Sequence, residues 1–381
     1  LVRYKLLKPI DTSLGIKHGV SIDTISDLML ENSVKDDIIG ILLKAFKDDT
    51  LLGQVIKGIK LNDSFSVKLT VTQERAPEKL IHSLQVALAA AYIGSCEQLE
   101  TKALSRLMTA GLLHDLGEIH IDPRILDRNV ALTPELRRQI YAHPIITYLI
   151  IKEFPEIPAE ISRAVLEHHE RLDGSGYPRG IKGEQISQFG RILAVADLIV
   201  AMLSRSSDSS YLVTSMKLNT EKYDNDLLRH VISLFKGTQI QDAGPDNKSK
   251  KQIAELWSTL ANLLVRKPSA KSEVSSAERD AFLFIEEHIQ ALSRLISSAG
   301  VQPDNIVDSI KQLLDATEEL GELHSMAFES VYRIHELLHE TRRRWPGLFS
   351  KGIPEKELTS LGDWLLNCEE SLEFLITSEH K

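Results

Sequence analysis

Cysteine is nearly absent from this chain. Cys96 and Cys368 are the only two in 381 residues, and no CxxC pair occurs. That excludes a disulfide framework and a thiolate zinc site, and it fits a reducing compartment. Also missing is any apolar run long enough to span a bilayer: "YLIIKEF" and "RILAVADLIVAML" both fall short of the roughly 20 residues needed. The opening stretch "LVRYKLLKPI" has neither the apolar core of a signal peptide nor an initiator Met, so a cytoplasmic protein whose N-terminus lies further upstream is expected. Positive charge is not in excess either. A formal net charge of -9 argues against a DNA-binding face, although a local pocket could still hold phosphate. Strand signals are almost absent, and no convincing internal repeat occurs.

What is present is helical patterning. The 43% hydrophobic content suits a packed globular chain, and the length suggests two or three domains. Composition divides it into a helical region at 1–74, opening with a short strand candidate in "VRYKLL", a middle region at 75–205, and a helical C-terminal bundle at 211–381 that regulates or dimerises the middle one. The fold class expected is all-α. In "LTPELRRQIYAHPIITYLI", Thr133 stands as N-cap and Pro134 at the first helical position. Pro144 is expected to kink or break that helix just after His143. "GRILAVADLIVAML" is apolar all round, hence buried.

Polar residues stand out against this apolar background. "AGLLHDLGEIHIDP" carries His114 and Asp115 side by side at a helix end, with Gly117 expected to let the chain turn away. Glu78 and His82 are four apart and share a helix face. His143, the pair His168 and His169, and Asp197 complete the set. Each imidazole alone has an ordinary reading as a core, cap or surface residue. Asp197 inside "ILAVADLIV" is harder to explain, since an unpartnered buried carboxylate costs several kcal/mol. Its partner is either a cation such as Arg191 or a metal.

Taken in order, Glu78, His82, "HDLGE", His143-Pro144, "HHERLDGSGYPRGIKGEQIS" and "RILAVAD" resemble an HD-GYP domain, a branch of the HD metal-dependent phosphohydrolases. The run HHExxxGxGYP falls on His168 to Pro178. The resemblance implies an all-helical HD domain with two or three divalent ions, Fe or Mn ahead of Zn, that hydrolyses cyclic di-GMP or a related cyclic dinucleotide. It assigns the metal ligands to Glu78, His82, His114, Asp115, His143, His168, His169 and Asp197, with Asp115 bridging and Glu78 serving a third ion. His114 and Asp115 are the catalytic pair of this reading. A donor set of nitrogen and oxygen suits such metals, and two ions about 3.5–4 Å apart can hold a hydroxide for in-line attack on phosphorus. Gly176 would let backbone approach the ligand, Tyr177 would offer a phenol to phosphate, and the helical flanks could carry a homodimer.

Two features depart from that pattern. The family motif HDxGK ends in a phosphate-contacting lysine, whereas this chain has Glu118. At a few ångströms that reversal is worth several kcal/mol even at an effective dielectric near 20. Ser206 and Ser209 stand where a basic stretch is expected, with Arg205 displaced by one. Arg171, Arg179 or Arg124 could supply the missing charge, Glu118 could lie on or near a metal, or the protein could be a metal-binding receptor without turnover. A separate motif, "HELLHE" at 335–340, matches HExxH, with His335 and His339 as zinc ligands, Glu336 as base and Glu355 or Glu357 as third ligand; it makes a metalloprotease the rival enzyme. The "ETRRR" that follows reads as a solvated helix end.

Overall fold

The computed structural model describes residues 19–46, 48–122, 134–204, 212, 215–216, 219–236, 250–265, 276–298, 300–316, 320–349 and 360–379. Helices account for the architecture, and no strand occurs among these residues. The strand candidate "VRYKLL" and the N-cap Thr133 lie outside them. The chain divides into two compact units, one built from the described residues of 19–204 and 219–236, the other from 212–216 and 250–379.

In the first unit, α1 (Ile22–Lys35), α2 (Asp37–Ala45), α3 (Asp49–Lys57) and α4 (Asp63–Arg75) begin at Ser21, Asp36, Asp48 and Asn62. Each of these side chains accepts a first-turn backbone N–H, worth about 1 kcal/mol apiece. The run "VALAAAYIG" follows in α5 (Pro77–Cys96), which is buried over most of its length. Small side chains there let α6 (Thr101–Leu113) come close. At the crossing, a Cβ added to Gly111 would stand 2.5 Å from Cα of Ala87, so only glycine fits. Beyond α6 a short 3-10 turn, Leu116–His120, leads on. Then come α7 (Pro134–Lys152), α8 (Ala159–Glu167), α9 (Gln188–Leu203) and α10 (Asn225–Lys236). The apolar α9 is capped by Ser187 and packs on α5 and α8, as an all-round hydrophobic helix must.

Pro144 does not break α7, which runs on to Lys152. Proline lacks an N–H, so the carbonyl of Ile140 loses its usual helical donor. The neighbouring side chain of His143 takes that place, with Nδ1 2.6 Å from Ile140 O.

The second unit comprises α11 (Lys250–Val265), α12 (Ser276–Ser298), α13 (Ile306–Ala316), α14 (Leu320–Arg344) and α15 (Ser360–Glu379) around one apolar core. Trp257 and Trp364 sit in that core, their indole N–H groups donating to Leu323 O at 3.0 Å and Leu263 O at 2.9 Å. The arginines of "ETRRR" are not simply solvated. Arg342 pairs with Glu369 and lies over the Phe349 ring, while Arg343 and Arg344 both pair with Glu340.

Candidate metal centre

Five helices of the first unit deliver seven polar side chains to one place. His82 comes from α5, His114 and Asp115 follow the end of α6, and His143 lies in α7. His168 and His169 follow α8, and Asp197 stands midway along α9. Asp115 is the hub. Its Oδ1 lies 3.1 Å from Nε2 of His143 and 3.7 Å from Nε2 of His168, while Oδ2 lies 3.2 Å from Nε2 of His114 and 4.0 Å from Nε2 of His82. Asp197 spans the same divide, with Oδ1 3.2 Å from Nε2 of His82 and Oδ2 3.9 Å from Nδ1 of His169. Two sets of donors close enough to share an ion result: Asp115, His143, His168 and His169, and His82, His114 and Asp115.

Three imidazoles are oriented by the same device. Nδ1 of His114, His143 and His168 lies 2.8, 2.6 and 2.6 Å from the carbonyls of Gly111, Ile140 and Val165, each three residues earlier. A carbonyl only accepts, so Nδ1 carries the proton and Nε2 keeps its lone pair directed inward. That is how metal-ligating histidines are held. Nε2 of His143 and Nε2 of His168 face each other at 3.3 Å, an arrangement that needs a cation or a shared proton between them.

Buried and unsatisfied atoms make the same point. His114 Nε2 and Asp115 Oδ1 are buried without hydrogen-bond geometry to any neighbour, although charged groups lie close by. Burial alone would raise the Asp115 carboxyl, but His114, His143 and His168 outweigh it and hold Asp115 well below the usual range. Asp197 is lowered likewise, against burial, by His82, His169 and His114. Burial lowers His168 and His169 below the usual imidazole range, whereas Asp115 overrides burial at His114, raised to about 9, and at His143, also raised. Ionised carboxylates among imidazoles form a nitrogen and oxygen donor set that fits divalent cations of the Fe, Mn or Zn kind, which would take the place of the protons on His114 and His143.

The other expected site residues fare differently. Glu78 is exposed on the first turn of α5 and belongs to neither donor set. Arg191 pairs with Asp224 at 3.0 Å, so it is not the partner of Asp197. Gly117 lies within the 3-10 turn where the chain leaves α6, without left-handed backbone, and glycine is needed there for close packing. Gly176 likewise makes room for the protein's own chain. A Cβ there would stand 2.4 Å from Arg171 N and 2.5 Å from His169 O. Tyr177 stacks on His169, ring centres 4.6 Å apart, with its edge contact to Tyr141 at 4.7 Å. Glu118 lies on the 3-10 turn, its carboxylate 2.8 Å from Nζ of Lys79.

Two candidate cations are committed to the loop itself. Arg171 donates to the carbonyls of His168 and Glu170 and lies over the Tyr223 ring. Arg179 donates to Glu167 at 2.7 Å. Arg124, Arg205, Ser206 and Ser209 fall outside the described residues.

Sequence reasoning missed Glu167 and Glu170. Glu167 is buried and accepts from Ser187 N, Ser187 Oγ, Arg163 and Arg179. Glu170 accepts from the backbone N–H groups of Arg179 and Ile181. Together they pin the 170–187 loop that carries Tyr177. The available signal was two glutamates flanking the histidine pair. Lys79 was missed too. Burial would favour loss of its proton, but Glu118, Asp115 and Asp197 more than offset that and keep the ammonium charged.

The HExxH histidines lie on α14, Nε2 to Nε2 at 2.9 Å. Neither donor set found among the described residues includes them, and Glu355 and Glu357 lie outside those residues.

Residues 58–227 match the model of the HD domain family. A cyclic di-GMP phosphodiesterase of Thermotoga maritima is 42% identical over 106 residues, covering 27% of this chain and 28% of that protein. A 3'3'-cGAMP-specific phosphodiesterase of Vibrio cholerae is 34% identical over 134 residues, covering 35% and 28%. A cyclic di-GMP phosphodiesterase of Borreliella burgdorferi is 29% identical over 160 residues, covering 40% and 42%. The chain thus spans less than half the length of each of these relatives.

Proposed function

We propose that this chain, whose residues 58–227 match the HD domain family, is an HD-GYP-type metal-dependent phosphodiesterase acting on a cyclic dinucleotide, cyclic di-GMP or a relative such as 3'3'-cGAMP. The observation that carries this reading is Asp115, whose two oxygens face separate groups of imidazoles. A carboxylate shared in this way suits a pair of divalent ions. When bound, such ions activate a water and neutralise charge on a phosphodiester.

His143, His168, His169 and Asp115 would hold one ion, and His82, His114 and Asp115 the other, with Asp197 reaching both groups. The protein's own part is placement. Nδ1–H bonds to Gly111, Ile140 and Val165 fix three rings before any ligand arrives, which lowers the ordering cost of binding. Tyr177, stacked on His169, forms a wall beside the donors and offers an aromatic face to a purine.

The test is turnover. Protein loaded with Mn or Fe is incubated with cyclic di-GMP and 3'3'-cGAMP, and the products are resolved by chromatography. Linear dinucleotide or mononucleotide, abolished by Asp115→Asn, is the expected result. No turnover with metals demonstrably bound overturns the enzyme reading in favour of a binding module.

A further inference from the structure

A phosphodiester brought against this cluster meets Glu118, a carboxylate on the turn just past His114 and Asp115. Alone, that group would repel the ligand. It is not alone. Lys79 Nζ lies 2.8 Å from Glu118 Oε2, and Lys79 stands three residues before His82, on the same side of α5.

The pair is asymmetric in a useful way. The Lys79 side chain keeps 33% of its exposure and Glu118 only 16%, so the lysine is the more accessible side chain of the two. An ammonium has three N–H donors, and the bond to Glu118 uses one. The remaining donors are held on a short tether beside the donor set instead of sweeping through solvent. Among the described residues, the candidate cations Arg171 and Arg179 spend their guanidiniums on loop carbonyls and on Glu167.

Resting on the phosphodiesterase reading above, we propose that Lys79, pinned by Glu118, is the residue that binds a non-bridging phosphoryl oxygen of the substrate. Glu118 acts through Lys79 as a positioning residue. The cation the ligand needs is supplied by α5, and the acid on the turn orients it.

The experiment uses the full chain loaded with Mn and a bis-phosphorothioate analogue of cyclic di-GMP, with affinity read by titration calorimetry. Metal content and thermal melting are recorded for every variant. Lys79→Gln is expected to weaken the analogue at least tenfold, with metal content and melting temperature close to the parent, and to lessen the salt dependence of binding. The exchanged pair Lys79→Glu with Glu118→Lys, which returns an ammonium to the same position, is expected to recover affinity to within about threefold of the parent. Lys79→Gln with parental affinity overturns the assignment, as does a variant that loses melting temperature and metal together, since that marks a purely structural pair. A parent protein that binds metal but neither binds nor cleaves the analogue and cyclic di-GMP brings down the phosphodiesterase reading itself. A parent that binds and cleaves, beside an unaffected Lys79→Gln, brings down only the role of Lys79.

Discussion

Gly117 lies so close to His143 that a Cβ on it would stand 2.5 Å from the His143 carbonyl oxygen and 2.8 Å from Thr147 Oγ1. The contact is reinforced by Gly117 N–H donating to Thr147 Oγ1 at 2.8 Å, while that hydroxyl donates to His143 O at 2.9 Å. The turn after His114-Asp115 and the helix bearing His143 are thereby locked together. Gly117→Ala must push a backbone atom aside, at a cost of about 1–3 kcal/mol for overpacking. The expected outcome is a lower melting temperature with weaker metal retention on dialysis, both measurable on one preparation.

Removing the shared carboxylate should be worse for metal than for fold. Asp115→Asn keeps shape but loses the charge that faces four imidazoles. Elemental analysis is expected to find metal content at most half that of the parent. Chelator should also lower the parent's melting temperature, because ions that bind only the folded state stabilise it by mass action. Parental metal content in Asp115→Asn would contradict the shared-ligand geometry.

Glu167 is expected to matter for the loop carrying Tyr177. Glu167→Gln forfeits charge-assisted bonds from Arg163 and Arg179 in a buried setting, worth about 1.5–3 kcal/mol. Urea unfolding measures the loss, and limited proteolysis should show faster cleavage within 170–187. Equal stability of parent and variant would refute this role.

Cys368 offers a probe of the second unit. Burial first, and then the neighbouring Glu369, push its thiol up to about 12. Only the thiolate alkylates, so a raised value means almost no reactive form until the pH nears 12. Iodoacetamide is therefore expected to leave Cys368 unmodified in native protein from pH 7 to 10 and to modify it fully in denaturant, as read by mass spectrometry. Rapid native labelling would show that the core around Trp364 and Leu365 is open.

The amino-acid sequence by itself determined the helical class and most of the donor set. Apolar periodicity marks helices directly, and His114, Asp115, His143, His168, His169 and Asp197 are visible as candidate ligands because they fall on the positions of a known motif. The motif around Tyr177 was equally legible. What only the tertiary structure decided are relations between residues distant along the chain. Lys79 meets Glu118 because α5 passes beside the turn after α6, and no spacing rule encodes that encounter. Arg191 goes to Asp224 and leaves Asp197 to the histidines, a choice set by which helix lies across from which. Pro144 reads locally as a helix breaker, yet α7 continues because the freed Ile140 carbonyl finds the His143 ring. Propensity and motif are local energies. Partners are chosen by packing, where the free energy of a charge depends on what the folded chain brings within a few ångströms of it.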